Sequence, residues 1–198
     1  MACNMGGMGF IENNKAECML SVLINTNLLR ACLLNDIKKY FFSSSACVYN
    51  ASKQEKIFIP GLKEEDAYPA NPDSEYGWEK LFSERMYLAF SKNYNLNVRI
   101  ARFHNIYGPL GTWNNGKEKV PAAICRKVAE ASNPGEIEIW GDGNQTRSFC
   151  YVDDLIEGIY RLLLSDYALP VNIGNPDEIT ILDFCKEIIK LTGTNQKI

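Results

Sequence analysis

The sequence predicts an α/β fold, a Rossmann-like doubly wound parallel sheet with part of a smaller substrate-binding domain. Short apolar runs that are typical of buried strands alternate along the chain with longer segments whose apolar residues recur at threes and fours. This alternation favours βαβ units, in which helices cover a sheet of parallel strands.

The first half of the chain is predicted to contain two helices and two strands. A helix from about Lys15 to Asn35 is expected to pack on the sheet through apolar residues at helical spacing, namely Leu20, Ile24, Leu28, Ala31 and Leu34. A strand from Lys38 to Phe42 follows it, and a strand from Asn97 to Phe103 follows the helix that carries Tyr76. The polar stretch from Asn50 to Asp73 contains several prolines and indicates a long surface loop.

The second half continues the alternation. A helix from about Pro121 to Ala131 and a strand from Glu136 to Trp140 are expected first. A strand from Ser148 to Val152 is predicted to end at Asp153 and Asp154, which are candidate N-caps of the next helix. A strand from Pro170 to Gly174 and a helix from Thr180 to Leu191 complete the prediction.

Composition and charge argue against two classes of partner. The chain has 198 residues, of which 46% are hydrophobic and 23% charged, as is ordinary for a soluble globular core. Its net charge is -3, and its lysines and arginines are scattered among acidic residues, so nucleic-acid binding is not expected. The N-terminus lacks a basic start followed by an apolar core, and no apolar run is expected to span a membrane.

The cysteines are expected to be reduced thiols in a cytoplasmic protein. They form no C-x-x-C pair, and with the single histidine, His104, they give no zinc-ligand spacing, so no metal site is predicted. The seven are Cys3, Cys18, Cys32, Cys47, Cys125, Cys150 and Cys185.

A candidate redox site begins with the run Tyr76-Gly77-Trp78-Glu79-Lys80. Residues four apart share a helix face, so the Lys80 ammonium is expected to lie beside the Tyr76 phenol and to lower its pKa. Such a phenol moves a proton near neutral pH. The pattern alone is weak, because most Tyr-x-x-x-Lys pairs are a helix face with a solvated lysine. The serines at 43–45 before it and the loop Asn105-Ile106-Tyr107-Gly108-Pro109 after it strengthen the hypothesis.

Together these segments resemble the extended short-chain dehydrogenase/reductases, the NAD-dependent epimerase/dehydratase family of nucleotide-sugar enzymes. Four segments are similar to the GDP-mannose 3,5-epimerase branch of that family in particular. They are Met5-Gly6-Gly7-Met8-Gly9-Phe10, Ser44-Ser45-Ala46-Cys47, the segment 102–109 with Gly111-Thr112-Trp113, and the segments 140–143 and 145–148.

The resemblance implies conversion of GDP-mannose to GDP-L-galactose, on the route to ascorbate, by transient oxidation at carbon 4 of the hexose with NAD as cofactor. Tyr76 would take the proton of the carbon 4 hydroxyl, and Ser45 would polarise that oxygen. Lys80 would serve both Tyr76 and the nicotinamide ribose. The ketone acidifies the hydrogens on carbons 3 and 5, where Cys47 and Lys119 would act as the acid/base pair.

The same resemblance implies a homodimer in the full-length form and a set of substrate-binding residues. Among these, Lys127 and Arg147 suit the diphosphate electrostatically, and Val120 stands where the family usually has alanine. The whole set is Gly6, Ser45, Ala46, Cys47, Asn105, Glu118, Lys119, Val120, Lys127, Gln145, Thr146 and Arg147.

The expected domain division assigns residues 1–106 to the C-terminal half of an NAD-binding Rossmann domain. Residues 107–198 are assigned mostly to the nucleotide-sugar region, with residues 149–174 returning to the Rossmann domain. A dinucleotide-binding domain begins with a strand, a glycine-rich turn for the pyrophosphate and an acidic residue for the ribose. The sequence does not contain these three features in that order. We therefore expect a central fragment, the nicotinamide half without the adenine half.

Other functions stay open at this point. A dehydratase would need an acidic pair just after the serines, where Ala46 and Cys47 stand. A 4-epimerase needs no second acid/base pair, so Cys47 with Lys119 argues moderately against it. A lone cysteine is more often a small buried hydrophobe, and Lys119 could be a solvated loop residue. The remaining alternative is a catalytically inactive fragment that acts, if at all, by associating with an intact subunit.

Overall fold

The computed structural model describes residues 5–54 and 61–198. Within these ranges the helices are α1 (Met8–Asn13), α2 (Lys15–Leu34), α3 (Glu75–Tyr94), α4 (Val120–Glu130), α5 (Val152–Leu164) and α6 (Ile181–Thr192). The strands are β1 (Lys39–Ser45), β2 (Asn97–Phe103), β3 (Ile106–Tyr107), β4 (Gly135–Glu136), β5 (Thr146–Ser148), β6 (Cys150–Tyr151), β7 (Val171–Ile173), β8 (Glu178–Thr180) and β9 (Gln196–Lys197).

A three-stranded parallel sheet in the order β1-β2-β7 forms the centre of the molecule and confirms the predicted α/β class. β1 pairs with β2 along its whole length, from Lys39 opposite Asn97 to Ser45 opposite Phe103. β7 pairs with the last three residues of β2. All three strands therefore end at one edge of the sheet, where parallel α/β folds place their ligands.

Side chains that alternate along β2 bring helices to both faces of the sheet. On one face, Val98 and Ile100 pack in a buried cluster that includes Leu29 of α2 and Tyr87 of α3. On the other face, the Arg99 Nε donates a hydrogen bond of 2.9 Å to the Ser165 carbonyl, at the end of α5. This two-sided covering is the doubly wound arrangement that the sequence predicts.

Helix α2 spans the predicted residues, but its predicted inward face is wrong. Leu20, Leu28, Ala31 and Leu34 are exposed, whereas the buried residues are Cys18, Ser21, Asn25, Leu29 and Cys32. Asn25 Nδ2 donates hydrogen bonds to Glu79 Oε1 at 2.8 Å and to Ser83 Oγ at 3.0 Å, both on α3. Because α3 presents polar groups to α2, the matching face of α2 includes polar residues, and Leu20, Leu28 and Leu34 point outward while Leu29 stays in the core.

Helix α2 also corrects the expectation that no apolar run is long enough to span a membrane. By length and composition alone it could do so, since an 18-residue window reaches a mean hydropathy of 1.3. The same test is passed by core helices of soluble proteins. The hydrogen bonds of Asn25 to α3 show that α2 packs against α3 in the helical layer that covers the sheet.

Three predicted boundaries in the second half need correction. The predicted strand from Glu136 to Trp140 is the two-residue β4, and the predicted strand from Ser148 to Val152 is divided into β5 and β6. Asp153 and Asp154 are not N-caps. Helix α5 begins at Val152, so both carboxylates lie in its first turn, where their negative charge interacts favourably with the helix dipole.

Two other local predictions agree with the structure. Thr180 caps α6, because its hydroxyl accepts a hydrogen bond of 3.0 Å from the Asp183 amide. The stretch from Asn50 to Asp73 forms no long helix or strand in its described part, which contains short 3-10 turns at Ala51–Lys53 and Glu64–Ala67. Ala67 is fully buried, so this loop is anchored in the protein rather than lying wholly on its surface.

Candidate active site

Helix α3 presents Tyr76 and Lys80 to the carboxyl end of β1. Ser74 is the N-cap of this helix, and its hydroxyl accepts a hydrogen bond of 3.3 Å from the Gly77 amide. Lys80 is buried, and its Nζ lies 5.7 Å from the Tyr76 ring centroid and 4.9 Å from that of Phe42. Two residues four apart thus share one helix face, as their spacing predicts.

The three serines at the end of β1 make different contacts. The Ser43 carbonyl accepts a hydrogen bond of 3.0 Å from Lys80 Nζ. The Ser44 hydroxyl bonds to Glu84 of α3. The Ser45 hydroxyl accepts a hydrogen bond of 3.2 Å from the Cys47 amide and caps the turn Ala46–Val48. The strand end therefore holds the lysine and starts the turn that carries Cys47.

Gly77 brings the Cys47 turn against the start of α3, a contact that the sequence did not suggest. A Cβ at residue 77 would lie 2.2 Å from the Cys47 carbonyl oxygen and 2.8 Å from the Pro72 Cβ. No side chain fits in that space without a shift of the backbone. The only signal in the sequence is a glycine inside a helix, directly after Tyr76.

The Cys47 thiol is partly buried between charges of opposite sign. Burial raises the pKa of the Cys47 thiol, and the hydrogen bond with Ser45 opposes this effect. The Asp73 carboxylate raises the pKa further, whereas the Lys119 ammonium lowers it. The structure thus brings Cys47 and Lys119 within electrostatic range, and it adds Asp73, which sequence reasoning missed.

The loop that carries Lys119 is held against α1. The Gly7 amide donates a hydrogen bond of 3.1 Å to the Lys117 carbonyl, and Lys117 Nζ lies 5.0 Å from the Phe10 ring centroid. Phe10 also belongs to the buried cluster against which Tyr76 packs. Helix α1 therefore links the Lys117 loop to the Tyr76 side of the site. Gly6 is close to the same loop, because a Cβ there would lie 3.3 Å from the Lys117 Cγ.

Glu118, beside Lys119, carries a buried oxygen. Its Oε1 pairs with Arg126 Nη2 of α4 at 3.3 Å, while Oε2 is buried and has no hydrogen-bond partner among the described residues. Backbone hydrogen bonds at Glu118 itself lower the pKa of this carboxyl, against the opposing effect of burial. Lys119 is exposed at the N-cap of α4, and Val120 is its first residue.

The other predicted binding residues form a second group, which makes hydrogen bonds to backbone carbonyls away from Cys47 and Lys119. Lys127 Nζ donates a hydrogen bond of 2.6 Å to the Glu138 carbonyl. Gln145 Nε2 donates one of 3.0 Å to the Trp140 carbonyl, and Arg147 donates to the carbonyl of Thr146 in β5. Asn105 is exposed, with a φ of 40° and a carbonyl that accepts from the Cys150 amide at 3.2 Å. Helix α4 connects the two groups, since it runs from Lys119 past Lys127.

The cysteines that the structure describes, six in all, are free. Cys3 lies outside the described residues. His104 is hydrogen-bonded through its Nε2 to Asn172 Oδ1 at 3.0 Å.

Comparison with known proteins shows the family of the chain. The sequence profile of the NAD dependent epimerase/dehydratase family matches residues 6–174. The chain belongs to this family. Two plant proteins, GDP-mannose 3,5-epimerase of Arabidopsis thaliana and GDP-mannose 3,5-epimerase 1 of Oryza sativa subsp. indica, are 44% and 46% identical to it over 190 residues. These alignments cover 96% of the chain but 50% and 49% of the relatives, so it spans about half their length.

A solved structure of the family supports both the fold and the cofactor. UDP-glucuronic acid 4-epimerase from Bacillus cereus, in complex with UDP-glucuronic acid and NAD, matches with a TM-score of 0.73 and 26% identity. The match covers 89% of this chain and 52% of that one. NAD is thus the cofactor of the family to which the chain belongs.

Removal of either charge beside Cys47 is expected to shift its pKa, in opposite directions. Lys119→Met removes a cation that lowers the pKa, so alkylation of Cys47 by iodoacetamide should require higher pH. Asp73→Asn removes an anion that raises the pKa, so alkylation should begin at lower pH. Peptide mass spectrometry across about pH 7 to 10 measures both profiles. The exposed Cys125 serves as internal reference, and shifts in the same direction would contradict the arrangement.

Proposed function

We propose that this chain carries the nicotinamide and hexose part of an NAD-dependent isomerase that converts GDP-mannose to GDP-L-galactose. The observation that carries the proposal is the position of Cys47. It lies on the turn that Ser45 caps, against the backbone of the Tyr76 helix and within electrostatic range of Lys119. Identity of 44% and 46% to GDP-mannose 3,5-epimerases supports the same substrate class.

The residues around Tyr76 fit a nicotinamide ribose and a sugar hydroxyl by their chemistry. Lys80 is an ammonium with three donor protons, of which one is directed to the Ser43 carbonyl. Its position by the Tyr76 ring lets it favour the phenolate and bind ribose hydroxyls. NAD, when bound, supplies the hydride acceptor for carbon 4. Tyr76 then takes the proton of the carbon 4 hydroxyl, and Ser45 orients that oxygen.

Cys47 and Lys119 would move protons at carbons 3 and 5 once carbon 4 is a ketone. Hydrogens beside a carbonyl are acidic, so one side chain on each face of the ring suffices to remove and return them. The raised pKa of Cys47 keeps its thiol protonated at neutral pH, which suits the donor of a proton. The nearby Lys119 ammonium would stabilise the thiolate that forms when Cys47 gives up that proton.

The nucleotide would extend along α4 to the second group of residues. Lys127 and Arg147 supply cations for a diphosphate, and Gln145, Thr146 and Asn105 supply hydrogen-bonding groups. Gly6, Ala46, Glu118 and Val120 belong to the hexose end in this proposal. The proposal divides the chain at residue 106 into a cofactor region and a sugar region, with residues 149–174 belonging to the cofactor region. It also places the protein in the cytoplasm.

The reaction is tested by deuterium uptake into GDP-mannose with added NAD in heavy water. Exchange at carbons 3 and 5 is expected to raise the mass of the sugar, and Cys47→Ser is expected to lower the rate by about 100-fold or more, the usual contribution of a general acid or base. The control, Cys125→Ser, is expected to leave the rate unchanged, since Cys125 is exposed on α4.

Three outcomes would contradict the proposal in different ways. Conversion of the sugar without any uptake would indicate a 4-epimerase, which needs no solvent exchange at carbons 3 and 5. A rate unaffected by Cys47→Ser would remove Cys47 from the mechanism. No uptake by this chain, with a full-length relative active alongside, would favour the alternative of a catalytically inactive fragment.

We also propose that a second copy of the chain packs on the outer side of α2 and α3. Met19 and Leu23 of α2, and Trp78 and Phe82 of α3, are each more than two-fifths exposed. The Thr26 hydroxyl contacts Met86 Sδ at 3.6 Å and joins the two helices. Exposed apolar side chains on two neighbouring helices suit a self-complementary contact between identical chains.

The dimer is tested by sedimentation velocity. Phe82→Glu is expected to convert a dimer into a monomer, because it places a charge in the apolar contact. The matched control Leu164→Glu changes a residue of α5 that is 66% exposed and should leave the dimer intact. A monomeric parent chain, or a dimer that survives Phe82→Glu, would contradict this proposal.

A further inference from the structure

The turn that carries Cys47 belongs to an arch, residues 44–49, whose two ends rest on one buried ion pair. The pair consists of Arg102 of β2 and Glu84 of α3, which are 2% and 1% exposed. Arg102 Nε lies 2.9 Å from Glu84 Oε1, and Arg102 Nη2 lies 2.7 Å from Glu84 Oε2. This two-bond geometry fixes both the distance and the relative orientation of the two side chains.

The first end of the arch is attached to the carboxylate. The Ser44 hydroxyl donates a hydrogen bond of 2.5 Å to Glu84 Oε1, and Ser44 is 3% exposed. Glu84 lies four residues after Lys80 and eight after Tyr76, so all three share one face of α3. The bond therefore ties the end of β1 to the same helix face that carries the predicted proton-transfer residues.

The second end of the arch is attached to the guanidinium. Arg102 Nη1 donates a hydrogen bond of 3.3 Å to the Tyr49 hydroxyl, and the guanidinium carbon lies 5.1 Å from the Tyr49 ring centroid. Tyr49 is fully buried, and its hydroxyl donates a hydrogen bond of 2.5 Å to Oδ1 of Asn172, which lies in β7. Arg102 Nη1 also donates one of 2.7 Å to the Glu64 carbonyl.

We propose that the Arg102–Glu84 pair is a positioning element of the active site, which holds Cys47 in place by anchoring the arch at Ser44 and at Tyr49. This inference rests on the proposed function of Cys47. Between its anchored ends the arch has only four residues, so Cys47 has little freedom to move relative to α3. Neither Arg102 nor Glu84 needs to touch the substrate for this role.

The test removes the two anchoring hydroxyls and leaves the ion pair intact. In the double variant Ser44→Ala with Tyr49→Phe, Glu84 keeps both hydrogen bonds to Arg102, so neither buried charge is left unpaired. The released arch should expose the Cys47 thiol. We expect alkylation of Cys47 by iodoacetamide at neutral pH to become about threefold to tenfold faster, the scale of one lost hydrogen bond. The rate at Cys125 should not change.

A matched control separates positioning from general loss of stability. Ser83 is fully buried on the same helix, and its hydroxyl donates a hydrogen bond of 2.7 Å to Glu79, away from the arch. Ser83→Ala should lower the melting temperature without accelerating Cys47 alkylation. An unchanged Cys47 rate in the double variant, or an equal acceleration in Ser83→Ala, would overturn the proposal.

Deuterium uptake provides the functional arm of the same experiment. If the arch positions Cys47 for catalysis, the double variant should lower kcat for uptake while KM stays close to that of the parent chain. Equal kcat in the two proteins would overturn the role in catalysis. Absence of uptake in the parent chain would count against the proposed function alone, because the alkylation rates still decide whether the pair positions Cys47.

Discussion

The buried ion pair between Arg102 and Glu84 is the contact on which the other elements of the site depend. Burial lowers the pKa of the Arg102 guanidinium, but the hydrogen bonds and charge of Glu84 outweigh it and raise the pKa above its ordinary value. A guanidinium in a protein interior is tolerated only when its donors are satisfied. Here Glu84, Tyr49 and the Glu64 carbonyl accept them, so the requirement of one charge draws together β2, α3, the turn after β1 and the loop before α3.

Helix α3 combines the chemistry of the site with its support on a single face. Tyr76 and Lys80 stand in its first two turns, and Glu84 follows at the same spacing. Gly77, on the turn between them, lets the Cys47 carbonyl approach the helix backbone. The serines at the end of β1 connect to this face through Ser43 and Ser44. The edge of the parallel sheet and one face of α3 thus form the part of the site that holds Tyr76, Lys80 and the Cys47 turn.

Much of the fold could be predicted from the sequence, whereas the contacts that set the geometry could not. The sequence pattern located α2 and β2 within a residue or two, since those elements are long and regular. The inward face of α2 could not be found in this way, because Asn25 is buried only through partners on α3, far away in sequence. The Tyr76 and Lys80 pattern is local and therefore visible. The effect of Asp73 on Cys47 depends on tertiary proximity, which no spacing reveals.

The most direct measurement is the free energy of unfolding of Glu84→Gln, compared with that of Glu187→Gln. Glu187 pairs with Lys190 at the surface of α6, where an exposed ion pair contributes about 1 kcal/mol or less. Glu84→Gln leaves the Arg102 guanidinium buried without its carboxylate, and we expect a loss of about 3 to 5 kcal/mol or complete unfolding. Equal and small losses in the two variants would contradict the central place of the Arg102–Glu84 pair.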